Sequence, residues 1–292
     1  MAGALLVDKP QGPTSHDVVA FVRRTLQISR VGHTGTLDPL ATGLLLVLVG
    51  PATRLAQFLA TDEKEYVADV RLGLATPTYD AASLPPGVRY PIPDIRYPAR
   101  EEIDAVLARF RGSFLQTPPA YSAKKIAGVA AYDLARRNET VELKPVAVTV
   151  AALDRLDTPD ATLVRLRVAA SAGFYVRSLA HDIGQALGCG AHLEALRRTR
   201  VGRFRVEDAQ TLDVLERAGA ALLPVSSLLG HMPAVILTEE SARRATHGNP
   251  VPTPEKGDSP LFLARLVGED GRVVAVAEAR ADGLLHPVVV LG

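Results

Sequence analysis

The sequence predicts an α+β fold, and three observations carry that expectation. Runs that alternate apolar and polar residues at a period of two sit beside segments with helical spacing, so both element types are present. The two types do not recur as a regular strand–helix–strand series, which argues against a doubly wound parallel sheet. The last sixty residues are dominated by three apolar runs separated by EDG and ADG turns, the pattern of a small β-rich module.

Taken in order, ALLVDKPQGP reads as a short strand stopped by Pro10, Gly12 and Pro13. SHDVVAFVRRTL follows as a helix with Ser15 as its expected N-cap. A loop rich in glycine, threonine and proline, RVGHTGTLDPLATG, then leads into the aliphatic strand Leu44–Val49. Asp38 before Pro39 in that loop is, on local chemistry alone, a turn or the N-cap of a short helix. EKEYVADVRLG alternates Tyr66, Ala68, Val70 and Leu72 with more polar neighbours and reads as a half-buried strand. A helix is expected from about Arg100 to Arg111, closed by Gly112, then strands near 144–154 and 162–170. YVRSLAHDIGQALG places Val176, Leu179, Ile183 and Leu187 on one helical face. TYDAASLPPGVRYPIPDIRYPA is a proline-rich surface excursion, and a domain boundary is expected near 229–236, giving units at 1–232 and 233–292.

Composition narrows the function classes. With 292 residues, 47% hydrophobic and 22% charged, the chain has an ordinary globular make-up with ample core, which excludes disordered and fibrous classes. The single cysteine, Cys189, allows neither an internal disulfide nor a multi-cysteine metal site and fits a reducing cytoplasm. The apolar run Ala4–Val7 is too short for a signal segment, and no stretch reaches the ~18 residues of a membrane span. No phosphate-binding loop, dinucleotide fingerprint, zinc-protease motif or nucleophile elbow occurs, and the seven histidines are scattered, so neither a metal nor a cofactor is expected. The net charge is only +1, yet LRRTRVGRFR holds five arginines and no acid, a density we read as lying against a polyanion, with Arg197, Arg198 and Arg200 on phosphates.

Six blocks, DKPQGPTSHDVV, GHTGTLDPLATGLL, KEYVADVRLG, PPAYSAKKIAGVAAYDLAR, GFYVRSLAHDIG and GCGAHLEALRR, stand in order over residues 5–205. Together they resemble the bacterial synthases that convert the T-loop uridine of tRNA, position 55, to pseudouridine. The C-terminal module resembles, less specifically, the PUA RNA-binding domain. The resemblance implies a mixed, largely antiparallel central sheet flanked by helices, with a thumb-like insert at about 76–140 carrying Lys124, Lys125, Arg136 and Arg137 to grip the stem-loop. It implies a cofactor-free isomerase in which Asp38 is the catalytic carboxylate, by attack on the ribose, attack on the base, or removal of a ribose proton. Arg177 would pair with Asp38, and Tyr66 would stack on the flipped uracil and handle its C5 proton. Tyr175 and Leu196 would line the base pocket, His33 would fill the space the base leaves, and Lys9, Arg197 and Arg198 would contact substrate. The block AASAGFYVR departs from the family at Ala170 and Phe174, both expected in the pocket wall. The implied partner is the T-stem-loop of tRNA, bound by a monomer with no obligate protein partner and no membrane. A binding or RNA-folding factor, and a guide-dependent ribosomal RNA enzyme, are the alternatives; an added tRNA-folding role is compatible with the first reading.

Overall fold

The computed structural model describes residues 1–122, 143–158, 160–253 and 262–291, together with the backbone of residues 125–126 and 129–130. The insert's basic residues Lys124, Arg136 and Arg137, and the side chain of Lys125, lie outside the described residues.

The larger sheet is built around one buried strand. Its members are β1 (Gly3–Lys9), β2 (Val31–His33), β3 (Thr42–Val49), β4 (Lys64–Leu72) and β5 (Gly112–Gln116), then, after the short hairpin β6 (Lys125–Ile126) and β7 (Val129–Ala130), β8 (Val146–Leu156), β9 (Leu163–Ala170), β10 (Ala191–Val201), β11 (Phe204–Arg205) and β12 (Gln210–Thr211). The order is β12-β1-β3-β10-β4-β9-β8-β5, with β2 also on β3 and β11 on β10. Among the described residues of this sheet, only the strand pairs β1–β12 and β3–β10 run parallel. The fold is therefore α+β with a mixed, largely antiparallel sheet.

The aliphatic run that forms β3 is covered on both faces, which is why it shows no polar alternation. Leu44, Leu46 and Leu48 enter one core with Leu6, Leu55 and Phe204, while Leu45, Val47 and Val49 enter another with Val18, Val19 and Val22. The latter three belong to α1 (Ser15–Leu26). Its N-cap is Thr14, one residue before the expected Ser15, because Thr14 and Asp17 form a reciprocal capping box. Ser15, relieved of capping, binds the loop before β3. Its hydroxyl accepts from the Leu37 amide at 2.8 Å and donates to the Leu37 carbonyl at 3.0 Å. At Gly43, φ is +97° and a Cβ would sit 2.3 Å from the Arg198 carbonyl, so only glycine allows β3 and β10 to meet there.

After α2 (Ala56–Leu59), helices α3 (Arg100–Ala108) and α4 (Val176–Leu187) pack on the remaining sheet face, joining Val106, Leu107, Leu179 and Ile183 to Ala68, Val70, Leu166 and Leu196. The α3 helix stops three residues short of Arg111, and Gly112, at φ +79°, opens β5.

Short helices α5 (Leu212–Ala218) and α6 (Val225–Leu228) lead to the second sheet. It comprises β13 (Ala234–Ile236), β14 (Val251–Pro252), β15 (Leu263–Val267), β16 (Val273–Ala279) and β17 (Leu284–Val290), in the order β13-β15-β16-β17-β14, with α7 (Glu239–Thr246) on one face. The other face is not free. Val276, Val289 and Leu291 sit in the same core as Leu44, Leu46 and Phe204, so the module has its own sheet but shares a core with the rest. No helix among the described residues is long and apolar enough to cross a membrane.

Each buried aliphatic side chain contributes about 1.5–3 kcal/mol. Truncation after residue 232 is therefore expected to lower the urea midpoint of the remaining protein, read by circular dichroism. An unchanged midpoint would show that the shared core adds nothing.

Candidate active site

Asp38 lies in the β2–β3 loop, and the backbone there is tied down on several sides. Ser15 clamps Leu37 as described, the Thr34 amide donates to the Leu46 carbonyl at 3.2 Å, and the Gly12 amide donates to the Pro39 carbonyl at 2.8 Å. The Ala41 amide closes a turn onto the Asp38 carbonyl at 3.0 Å. The Asp-Pro pair thus makes a turn and starts no helix. This leaves the Asp38 side chain unused by local capping and half-exposed to a cavity.

The opposite wall supplies Arg177, the second residue of α4, only 6% exposed. Its Nε lies 2.9 Å from Asp38 Oδ2, and its Nη2 donates to Oδ1 at 3.3 Å. The rest of the guanidinium is held by backbone: Nη1 donates to the Thr78 carbonyl at 3.1 Å and Nη2 to the Tyr121 carbonyl at 2.8 Å. A second carboxylate, Asp80, stands 3.8 Å from Nε and is itself buried, accepting from Thr78 Oγ1 at 2.6 Å and the Ala82 amide at 3.0 Å. Between Thr78 and Asp80, Tyr79 adopts φ +62°, a strained left-handed conformation for a bulky residue. That kink turns the Thr78 carbonyl and the Asp80 carboxylate toward the same arginine. The Tyr79 ring stacks on His181, one helical turn beyond Arg177, at 3.9 Å.

Burial pushes the Asp38 carboxyl above its usual range, and Arg177 opposes that shift. Asp80 adds to the rise, while the bond from Arg177 and the charge of Lys9 counter it.

The cavity between these walls is about 370 Å³, within the ~300–1,000 Å³ of small-ligand pockets. Asp38, Tyr66, Tyr175, Arg177 and Leu196 all line it, as does Phe174. Tyr66 projects from β4, directly across from Arg198 on β10. Tyr175 is fixed by a buried side chain from β5: Gln116 donates Nε2 to its carbonyl at 3.0 Å and accepts its amide on Oε1 at 2.8 Å. Neither Gln116 nor Asp80 is identifiable from sequence as part of the site.

The other expected residues are placed differently. Ala170 is fully buried in the core rather than in the pocket wall. His33 ends β2 outside the cavity lining, edge-on to His16 at 5.7 Å, and burial pushes its imidazole below the usual range. Lys9 and Arg198 cannot reach an RNA backbone. Lys9 is wholly buried and donates to the Pro10 and Pro13 carbonyls at 2.9 and 2.8 Å, and burial lowers its ammonium to about 8. Arg198 is 2% exposed and donates to the Leu44 and Gly35 carbonyls at 2.7 and 3.1 Å. The five-arginine run lies mostly on a strand, so alternation separates Arg198, which points inward, from Arg197, which pairs with Asp8 at 2.8 Å, and a register shift between Arg198 and Arg200 takes Arg200 out of phase to pair with Glu63 at 2.6 Å. The run is therefore no uniform phosphate-facing patch.

Three family models match the chain. Residues 23–176 match the TruB family pseudouridylate synthase N-terminal domain, 177–229 the tRNA pseudouridylate synthase B C-terminal domain, and 233–291 the pseudouridine synthase II TruB C-terminal domain. The chain belongs to the TruB family. Curated relatives named tRNA pseudouridine synthase B include proteins from Solibacter usitatus, 44% identical with both chains fully covered, and Thermobifida fusca, 46% identical over 99% of this chain and 98% of that protein. Among solved structures, a chain of a Cbf5–Nop10–Gar1 complex superposes with a TM-score of 0.71 at 27% identity, covering 99% of this chain and 85% of that one. Asp38, Tyr66, Tyr175, Arg177, Leu196 and Arg198, each in one of the sequence blocks that carry the resemblance, line this cavity.

Asp182, next to the stacked His181, offers a stability test. Burial raises its carboxyl from 3.8 to about 6. A raised folded-state pKa penalises the charged form, so the penalty is absent below pH 3.8 and complete above about 6. Asp182→Asn is expected to stabilise the protein by about 1–2 kcal/mol at pH 7.5, after allowance for solvent screening, and by nothing at pH 3.5. Thermal melts at the two pH values check this; an equal gain at both would assign the effect to something other than the charge.

Proposed function

We propose that this protein isomerises uridine to pseudouridine at position 55 in the T-loop of tRNA, flipping the base into the cavity and using Asp38 as the catalytic carboxylate. The observation that carries the reading is the two-point contact of Arg177 on Asp38 within a cavity walled by Tyr66, Tyr175 and Leu196. The names of the curated relatives support the choice of tRNA.

The reaction consumes no second substrate. It needs a positioned carboxylate and a pocket that retains the detached uracil through rotation. Arg177 keeps the carboxylate ionised against burial and fixes its direction. Tyr66 stacks on the uracil and receives or relays the C5 proton. Tyr175, held by Gln116, and Leu196 confine the ring, while His33 fills the gap that an extruded base leaves in the loop. The residues from 233 onward act as a PUA-like RNA-binding arm of a catalytic domain spanning 1–232, with the insert at about 76–140 gripping the stem-loop. The protein works alone, in the cytoplasm, without a cofactor.

Incubation with an unmodified T-stem-loop RNA, followed by nucleoside chromatography, is expected to give one pseudouridine per molecule; none formed would reject the reading. Asp38→Asn is nearly isosteric and should retain RNA binding while losing roughly 10⁴-fold or more in single-turnover rate. Arg177→Lys should also lose much of the rate because the fork is gone. In the Asp38→Asn background the Arg177 change should cost little more, whereas multiplicative losses would mean that Arg177 acts on the RNA independently.

A further inference from the structure

The cavity holds two cations to which the proposed reaction has so far given no part. Lys64, at the start of β4, and Arg198, on β10, both line it, at 7% and 2% exposure. Lys64 precedes Tyr66 by two residues and so shares its face of the sheet, and Arg198 lies directly across from Tyr66. Lys64 Nζ donates to the Ala60 and Asp62 carbonyls at 2.6 and 2.5 Å. Arg198 donates to the Leu44 and Gly35 carbonyls and lies against the Tyr66 hydroxyl. Among the described residues, neither cation has a carboxylate within 4.0 Å, although nearly every other buried or half-buried arginine on this sheet has one. Asp62 is close enough to favour the charged form of Lys64, but burial and the neighbouring Arg198 outweigh it and push the ammonium down.

Two like charges, buried within electrostatic reach of each other and without an ion-pair partner, are costly to maintain, and a site that carries them gains when an anion arrives. RNA offers two kinds of anion to this cavity. Phosphates stay with the strand at the surface and need exposed partners; these cations are buried. The flipped base does enter, and it is neutral when it does. During the reaction the N1–C1′ bond breaks and its electron pair stays on uracil, as an anion shared among N1, O2 and O4. C1′ is satisfied by an oxygen of Asp38, or by loss of the C2′ proton to Asp38 with a C1′=C2′ double bond; the anion then bonds to C1′ through C5 as the Asp38 oxygen leaves or the proton returns to C2′, and C5 gives up its proton while N1 takes one.

We propose that Lys64 and Arg198 form a cationic wall that stabilises the uracil anion while it is detached. The assignment rests on the pseudouridine synthase reading and gives the pocket two poles: Asp38 and Arg177 act on the sugar, Lys64 and Arg198 on the base. Such preorganised charge, in a site sheltered from water, acts on the transition state rather than on the bound substrate.

The test compares uridine with 5-fluorouridine in the same stem-loop. Fluorine at C5 stabilises the uracil anion chemically, so a substrate carrying it depends less on the protein's cations. It also blocks the final C5 proton loss, and consumption of the fluoronucleoside reports the earlier steps. Lys64→Gln removes the charge while leaving an amide to serve the two carbonyls. Its single-turnover rate on uridine is expected to fall about 100-fold, with RNA affinity unchanged, and to fall several-fold less on 5-fluorouridine. Lys64→Arg should restore most of the rate. Should Lys64→Gln fail to fold, as judged by thermal melting, the same comparison is made with Arg198→Lys, which keeps a charge but shifts it and should show the same substrate ordering. Equal losses on the two substrates, or a loss confined to affinity, would overturn the proposal. A wild-type protein that makes no pseudouridine from the uridine stem-loop would instead overturn the parent reading.

Discussion

The arrangement of the site depends on one contact, the ion pair between Asp38 and Arg177. A carboxylate moved out of water tends to protonate, and a guanidinium as buried as Arg177 leaves expensive donors unless each finds an acceptor. The fold answers them with segments far apart in sequence: Nη1 and Nη2 find acceptors, while Nε lies against Asp38 without a hydrogen bond. The β2–β3 loop brings Asp38, α4 brings Arg177, the strained turn at Tyr79 brings the Thr78 carbonyl and Asp80, and the segment after β5 brings the Tyr121 carbonyl. The capping of α1 contributes too: with Thr14 as the cap, the Ser15 hydroxyl is left to clamp Leu37 next to Asp38.

Behind this pair the interior is cationic. Lys9, Lys64 and Arg198 are all buried, all hold backbone carbonyls, and both lysines lie within electrostatic reach of Arg198. Elsewhere on the sheet, arginines are matched with acids across strands, as in Asp69 with Arg165 and Glu65 with Arg167. That contrast separates an outer face of matched charges from buried cations without ion-pair partners among the described residues, and on β4 the separation follows from strand alternation.

The sequence makes the pairing of Asp38 with Arg177 legible, because Asp38, Tyr66, Tyr175, Arg177 and Leu196 each stand in a distinctive block. Residues that support them from a distance are not legible. Gln116 sits 59 positions before the Tyr175 backbone it fixes, and no local pattern marks a lone glutamine on an edge strand. Arg198 misleads for a definite reason: a dense arginine run reads as one surface only if its residues share a face, and on a strand consecutive residues cannot. At the level of the fold, periodicity locates β1, β3, β4, β8, β9, α1, α3 and α4 to within a few residues but leaves β10 unassigned, since its arginines read as a surface patch. It cannot reveal that the C-terminal sheet shares a core with β3, since burial on both faces of an aliphatic run does not say which element covers it.

The claim that Arg177 keeps Asp38 ionised and aimed is tested most directly by the pH dependence of the single-turnover rate. Burial places the Asp38 carboxyl above 3.8 even with Arg177 opposing, so the wild-type rate should fall with decreasing pH along a limb that lies above that value. Replacing Arg177 with glutamine removes the opposing charge, and the limb should move to higher pH. A limb at the same pH in both proteins would contradict the account, since Arg177 would then not govern the charge on Asp38.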